Sequence, residues 1–483
     1  LKGPSDYVYD SIVSPTSEAC FLSKKKEWFN KVSVLGAGDG VTRDKLDLWQ
    51  RFAVDVIRAK GADYDRRCGV RGGHRDHRPW RLLLTGTAGS GKSRTIRSAV
   101  RARQEMVTAF GVDAAEVNEC CALAAPTGCA SFQMKYGAST LHRVFGLGIG
   151  HVWPMSRTHN RFRNMKARLE QARLFVFDEL SMIGRRMLGS IEFRVREIFG
   201  ARATHEGKEV YLGARDAVLA GDPKQATPIG DDPMYVEGEY RGSGRNMPKG
   251  CSALPPGAWS SQKLSRVGLN VRNEFEDVCI LREVHRIEHT NDSVPEEQRA
   301  LYREEADYFL RVTKLLSECK WVPPHHAWLS WRNRSSLRLK AEGREELKRF
   351  DTAPLLMNGR QDRVTGEVGA ITVNRLELER LSARTGVPIA CLAAVHGRPA
   401  KGSRAKPELM SAEDFRGLDN ELFLCEGARI LLTQNLWVEA GLMNGALGEV
   451  RGFMWPEGGD PHPPNKALQA PIWVLVELDA SNL

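Results

Sequence analysis

Short, mostly apolar runs alternate with amphipathic stretches through the first half of the chain. Arg81–Thr85 (RLLLT), Cys121–Ala125, Leu174–Phe177 (LFVF) and Ala217–Ala220 (AVLA) each run into Gly, Pro or Asp. Runs of that length, bounded by turn residues, read as buried strands. Between them, Lys92–Phe110 turns Ile96, Val100, Val107 and Phe110 to one side, and Met187–Phe199 is amphipathic up to Gly200. Both spacings predict helices. A further helix is predicted from Leu46, with Leu46, Trp49, Phe52, Ala53 and Ile57 on one face. Strands alternating with helices predict an α/β fold around a parallel sheet, with ligands at the C-terminal ends of the strands.

The rest of the chain has a different texture. Residues 1–40 carry no strong periodicity and form a poorly specified lead-in, and Arg66–Arg78 is a Gly/Arg-rich loop. Residues 236–262 hold many Gly, Pro and Ser and read as a flexible connection. A second folded region is expected from about residue 263. It takes in Phe275–Leu281, a Trp-rich helical stretch at Leu315–Trp331 and a strand at Ile371–Asn374. From Glu426 the pattern becomes all-β: Ala428–Leu432, Gly448–Phe453 and Ile472–Leu478, separated by Gly and Asn as in a small barrel. Asn444-Gly445 is a strong tight-turn signal in its own right.

Composition narrows the functional classes. The 483 residues, at ~100–200 per domain, predict two to four domains. With 42% hydrophobic and 27% charged residues the chain is globular in composition. No apolar run approaches the ~18–20 residues that span a bilayer, so a membrane role is not expected. A net charge of +10 favours an acidic partner, nucleic acid first, although a merely soluble basic surface has the same sign. Ten Cys without a CxxC fit a reducing compartment. Cys68, His74 and His77 read as loop residues rather than a zinc site.

Candidate chemistry centres on Gly86-Thr87-Ala88-Gly89-Ser90-Gly91-Lys92-Ser93, a full match to GxxxxGK[ST] between a strand and a helix. Glycines let the backbone N–H groups turn inward around phosphate oxygens, and the helix that follows adds its positive end. Lys92 would reach the β- and γ-phosphates, and the Ser93 hydroxyl would hold Mg²⁺. Asp178-Glu179 follows a strand, so Asp178 is the expected metal-holding carboxylate and Glu179 the base for an attacking water. Alone, the pair reads equally well as acidic residues at a helix start. Gln225, in Gly221–Gln225, is placed to sense hydrolysis, although its pentapeptide alone is only a turn signal. Gln50 is a candidate adenine reader, with a surface Gln as the ordinary alternative.

Taken in order, GTAGSGKS, APTGCAS (125–131), STLHRVFG (139–146), FVFDELSM (175–182) and GDPKQATPI (221–229) resemble the superfamily-one DNA helicases of the petite-integration-frequency (Pif) type. The versions in rolling-circle transposons and large viruses are especially similar. LREVHRI (281–287) resembles the family's fourth motif, and the block 427–453 strongly resembles a segment particular to it. The resemblance implies two RecA-like P-loop domains, at 41–235 and 263–425, and a small SH3-like β-barrel at 426–483. A basic wedge is inserted at about 147–172. It implies ATP and Mg²⁺ as cofactors, single-stranded and forked DNA as partners, 5′-to-3′ movement and a monomer. It also implies a role in DNA repair, recombination or telomere maintenance, in the nucleus or mitochondrion. Arg286 would be the arginine finger, and Thr127, Thr140 and His142 would contact DNA. Thr127 reads equally as a helix cap and His142 as a core histidine. Arg157, Arg161, Arg163, Lys166, Arg168 and Arg173, interleaved with Trp153 and Phe162, suit phosphate contacts and base stacking, or a solvated basic face.

The sequence also departs from the family. Its "KSQG.T" and "VALSR" motifs do not follow the 427–453 block. The expectation is therefore an incomplete second RecA-like domain and weak turnover by this chain alone. Two other readings compete with the helicase: an impaired DNA-binding transposon remnant, and a P-loop ATPase acting on something other than DNA.

Overall fold

The computed structural model describes residues 45–68, 78–109, 111, 114–148, 152–200, 203–205, 207–241, 254, 256–285, 296, 299–320, 322–331, 370–394, 421–436, 441–454 and 473–479. The lead-in, Phe110, His74, His77 and Arg286 lie outside these residues. Two units divide the chain, the first running through Phe309 and the second comprising Leu310–Leu436 and Gly441–Leu483.

The first unit is built on a six-stranded, wholly parallel sheet. Its elements, in chain order, are α1 (Leu48–Cys68), β1 (Arg81–Gly86), α2 (Lys92–Thr108), α3 (Ala114–Glu119), β2 (Cys121–Ala125), α4 (Gly128–Met134), β3 (Ser139–Thr140), α5 (Leu141–Val144), α6 (Asn160–Glu170) and β4 (Leu174–Phe177). They continue with α7 (Arg185–Phe199), the β5–β6 hairpin (Ala203–His205 and Lys208–Val210), β7 (Asp216–Gly221), α8 (Ser261–Asn273) and β8 (Asp277–Leu281). The spatial order of the sheet is β3-β2-β4-β7-β1-β8.

The apolar runs are strands because both faces of the sheet are covered. Leu123, Val176, Val218, Leu82 and Leu84 face a core shared with Ala53, Ile57, Ile96 and Val100 of α1 and α2. Their alternates Ala122, Phe175, Phe177 and Leu219 face a second core with Phe145, Leu169, Leu188 and Ile191. This period-two division of one continuous apolar run is what a doubly covered parallel strand requires. Phe52 departs from the expected apolar face: it is 55% exposed, while Val54 takes a place in the core.

The boundary expected at 263 falls elsewhere. α8 packs on α7, and β8 pairs with β1 as the last strand of the first sheet. The helices meet at two glycines. A Cβ on Gly189 would lie 1.9 Å from the Leu264 carbonyl oxygen, and one on Gly268 would lie 1.8 Å from that of Arg185. Any larger residue would have to push backbone away from backbone.

Buried charges tie these layers together. Asp65 accepts from Arg103 Nη2 at 2.8 Å and from Arg173 Nη1 at 2.9 Å, joining α1, α2 and the approach to β4. Arg173 is thus a structural ion-pair partner and not part of a DNA-facing surface, and Phe162 is likewise a core residue, only 3% exposed. Trp153, Arg157, Arg161 and Arg163 remain exposed. Glu192 of α7 accepts the Leu212 N–H at 2.7 Å and pairs with Arg196, while burial pushes its pKa up to about 7.

Helix α9 (Arg299–Ser317) spans the division between the units and α10 (Pro323–Trp331) follows. The second unit then has α11 (Ala370–Thr385), an antiparallel pair β9–β10 (Ala390–Ala393 and Glu421–Leu424) and a three-stranded antiparallel sheet. That sheet has the order β11 (Arg429–Leu431), β12 (Leu447–Met454), β13 (Trp473–Leu478). Cys425, Ala428 and Val450 form its core with Leu378 and Leu381 of α11. Ile371–Asn374, expected as a strand, is helical: α11 continues through Leu376, Leu378 and Leu381, and a β-prone tetrapeptide follows the longer segment that contains it. Asn444-Gly445 forms the expected turn, with Gly445 at φ +96° and its N–H on the Leu432 carbonyl.

Two outcomes check this packing. Gly189→Ala should lower stability by about 3 kcal/mol through forced separation of α7 and α8, read as a fall in the denaturant midpoint; an unchanged midpoint would disprove the close crossing. Glu192 binds its proton more tightly folded than unfolded, so its contribution is full below the ordinary glutamate range and is lost as pH rises through about 7. Glu192→Gln should therefore gain stability relative to the parent chain between pH 5 and pH 8, by an amount on the order of 3 kcal/mol. A mutant–parent difference that is flat with pH would refute it.

Candidate nucleotide site

The predicted loop lies where the sheet requires a ligand site. β1 and β4 flank β7 in register, with Thr85 opposite Gly221 and Phe177 opposite Leu219. Residues 86–93, 178–179 and 222–225 therefore leave the sheet at the same edge. Gly89 and Gly91 adopt φ of +87° and +79°, left-handed values that open the loop. A Cβ on Gly91 would also lie 2.3 Å from Gln50 Nε2 and would displace that amide. Helix α2 starts at Lys92, so Ser93 stands in its first turn.

Lys92 Nζ donates to the Gly86 carbonyl at 2.7 Å and to the Thr87 carbonyl at 3.1 Å, which places the ammonium across the mouth of the loop. Among the described residues, the buried Ser90 Oγ has no hydrogen-bond partner and lies as an orphan polar atom inside the loop. Asp178 is 4% exposed, and burial pushes its pKa up to about 6, against the opposing effects of the Glu179 N–H and the charge on Lys92. The charge on Lys92 thus reaches Asp178, opposing the effect of burial. By chemistry, a buried carboxylate and a hydroxyl in the first turn of a helix are oxygen donors of the kind a hard divalent cation such as Mg²⁺ takes. Glu179 adopts φ +57°, a backbone conformation rare outside glycine that redirects the chain immediately after Asp178.

Glu179 and Gln225 line one cavity of about 360 Å³ together with Thr127, Cys129, Gln133 and Met182. Burial and the Glu179 carboxylate both push the Cys129 thiol up, so it stays protonated. Asp222 accepts the Lys224 N–H at 3.0 Å and fixes the turn that carries Gln225. The structure therefore brings Lys92, Asp178, Glu179 and Gln225 to one edge, with Thr127 beside them.

The other expected residues are engaged elsewhere. Gln50 is 1% exposed: it accepts the Asp47 N–H at 3.4 Å and donates to the Ser90 carbonyl at 3.0 Å. Its amide supports the loop from behind and does not lie open to a base. The Thr127 hydroxyl caps α4 by accepting the Ala130 N–H, and the Thr140 hydroxyl caps α5 by accepting that of Arg143. His142 is half-buried, and burial lowers its pKa, so it is neutral near pH 7. Arg286 lies outside the described residues.

Sequence reading passed over Asp47 and His285. Asp47 accepts the Gln50 N–H at 2.8 Å, and with the reciprocal bond from Gln50 this is a capping box. The signal, Asp followed three residues later by Gln ahead of a helix, is present in the sequence. Asp47, Glu283 and His285 place donor atoms within 4.8 Å of one another, and His285 Nε2 lies 2.6 Å from Asp47 Oδ2.

Residues 75–237 match the sequence model of the PIF1-like helicase family. The ATP-dependent DNA helicase PIF1 of Saccharomyces cerevisiae (strain YJM789) is 28% identical over 154 residues, 32% of this chain and 16% of that protein. The match thus spans about a sixth of that relative's length. Among solved structures, Pif1 helicase from Candida albicans aligns at 15% identity over 90% of this chain and 78% of that one, with a TM-score of 0.45. Pif1 helicase from Bacteroides in complex with ADP-AlF3 and ssDNA aligns at 18% identity over 78% and 67%, with a TM-score of 0.40. By these sequence matches, residues 75–237 of this chain are similar to the PIF1-like helicases.

Proposed function

We propose that the chain binds ATP with Mg²⁺ and couples hydrolysis to movement on single-stranded DNA, opening duplex as a DNA helicase. The observation that carries this reading is the convergence of Lys92, Asp178, Glu179 and Gln225 on one edge of the parallel sheet.

In this reading the loop amides and Lys92 hold the β- and γ-phosphates, Lys92 exchanging two carbonyl acceptors for charged oxygens. Ser93 and Asp178 hold the divalent ion, which neutralises phosphate charge when bound. Glu179, held out by its left-handed backbone, takes the proton of the attacking water. Gln225, across the same cavity, orients that water. Arg286 is the proposed arginine finger by resemblance. Thr127 lines the catalytic cavity, so a DNA strand contacting it would adjoin the hydrolysing groups. His142 would contact the strand as a neutral hydrogen-bonding group. The yeast relative is named as an ATP-dependent DNA helicase, which supports the substrate class. Resemblance extends the proposal to 5′-to-3′ polarity on single-stranded and forked DNA. It extends also to DNA maintenance in the nucleus or mitochondrion, by a monomer.

The test is ATP turnover by the purified chain with and without single-stranded DNA, beside Lys92→Ala. DNA should raise turnover, and Lys92→Ala should lower it by at least about 100-fold, the scale of removing a charge from a phosphoryl-transfer site. Turnover indifferent to DNA would point to a different substrate. Salt-sensitive DNA binding without turnover would leave a binding protein and refute the motor.

A further inference from the structure

The loop that faces the phosphates is itself held from behind. β8 pairs with β1 as far as Leu281 opposite Gly86, and the chain then passes over the outer side of the loop. There the His285 N–H donates to the Gly89 carbonyl at 2.9 Å. The His285 imidazole contacts Asp47 at 2.6 Å, and the carboxylate, which only accepts, makes Nε2 the protonated nitrogen. The other Asp47 oxygen receives the Gln50 N–H, and Gln50 Nε2 donates to the Ser90 carbonyl. Two successive loop carbonyls are thus drawn to one side by donors from outside the loop. In addition, the Arg282 guanidinium lies 4.7 Å from the centre of the Trp49 ring, a second link between the same segment and the start of α1.

We propose that His285 is a positioning residue for nucleotide binding, which holds the loop in its phosphate-ready conformation through Asp47 and the Gly89 carbonyl. The inference rests on the ATP-binding reading above and adds a residue to it. In a planar trans peptide the carbonyl and the following N–H point in opposite directions. With the Ser90 carbonyl turned to Gln50, the Gly91 N–H faces the phosphate side. With the Gly89 carbonyl turned to His285, the Ser90 N–H is directed to the Thr87 carbonyl and closes the turn at 3.1 Å. Glycines at 89 and 91 give the backbone freedom to rotate these peptides, so the orientation has to be imposed from outside. Donors set in advance bind an anion more tightly than donors that must be ordered on binding. The anchoring does not hold the fold together: α1 and β8 are already fixed through Ala53, Ile57, Cys279 and Leu281 in the sheet core.

The experiment compares His285→Ala and His285→Gln with the parent chain and with Lys92→Ala. Each is titrated with a fluorescent ADP analogue and Mg²⁺, assayed for KM and kcat with ATP and single-stranded DNA, and melted without nucleotide. His285→Ala should weaken ADP binding and raise KM by about tenfold, the scale of one charge-assisted hydrogen bond, with the loss in KM rather than kcat. His285→Gln, whose amide nitrogen can stand in for Nε2 toward Asp47, should recover most of that loss. Unchanged ADP affinity in His285→Ala, a fall in kcat alone, or a loss matched by a lower melting temperature that His285→Gln does not restore would overturn the proposal. A parent chain that binds ADP no better than Lys92→Ala would instead sink the ATP reading on which it stands.

Discussion

A loop that points its amides at an anion must point its carbonyls the other way, and those carbonyls need donors of their own. Much of the first unit is arranged around that requirement. Gln50 and His285 supply donors to Ser90 and Gly89 from two different parts of the chain. Asp47 joins the two, one carboxylate oxygen to each residue. A glycine suits position 91 because its backbone is left-handed, at φ +79°, and because a Cβ there would displace the Gln50 amide from the loop.

The sheet sets the distance over which this cradle works. Because β1, β7 and β4 run parallel and in register, the loop, the acidic pair and the Gln225 turn all emerge at one edge. Burial of Asp178 on that edge raises the cost of its charge, and a nearby cation relieves it. In the proposed function, a divalent ion held at Asp178 would offset that cost. Lys92, which lowers the pKa of Asp178, is the protein's own partial answer to that charge.

The four apolar runs and the glycine loop could be read directly from the residues, because a doubly buried strand and a phosphate loop have short, local signatures. Other features depended on distant parts of the chain. Phe162 and Arg173 looked like a nucleic-acid surface by type and spacing, yet a neighbouring core and the Asp65 carboxylate claim them. β8 and α8 looked like the start of a new domain because a Gly/Pro-rich stretch precedes them, but a sheet strand is assigned by its neighbour, here β1, and not by its place in the chain. Ile371–Asn374 was read from four β-branched-rich residues, too short a window to outweigh the helix around it. Gln50 was found by its position, but its partner, the Ser90 carbonyl, could be identified only in three dimensions.

The paired glycines of α7 and α8 have a mechanical corollary. With backbone against backbone at Gly189 and Gly268, no side chain separates the crossing, so neither helix can shift toward the other and the pair forms one strut. One end of that strut follows directly on the turn after Glu179, and the other leads into β8 and the segment that grips the loop. The acidic pair and the phosphate cradle are therefore connected by two routes, across the sheet and around it.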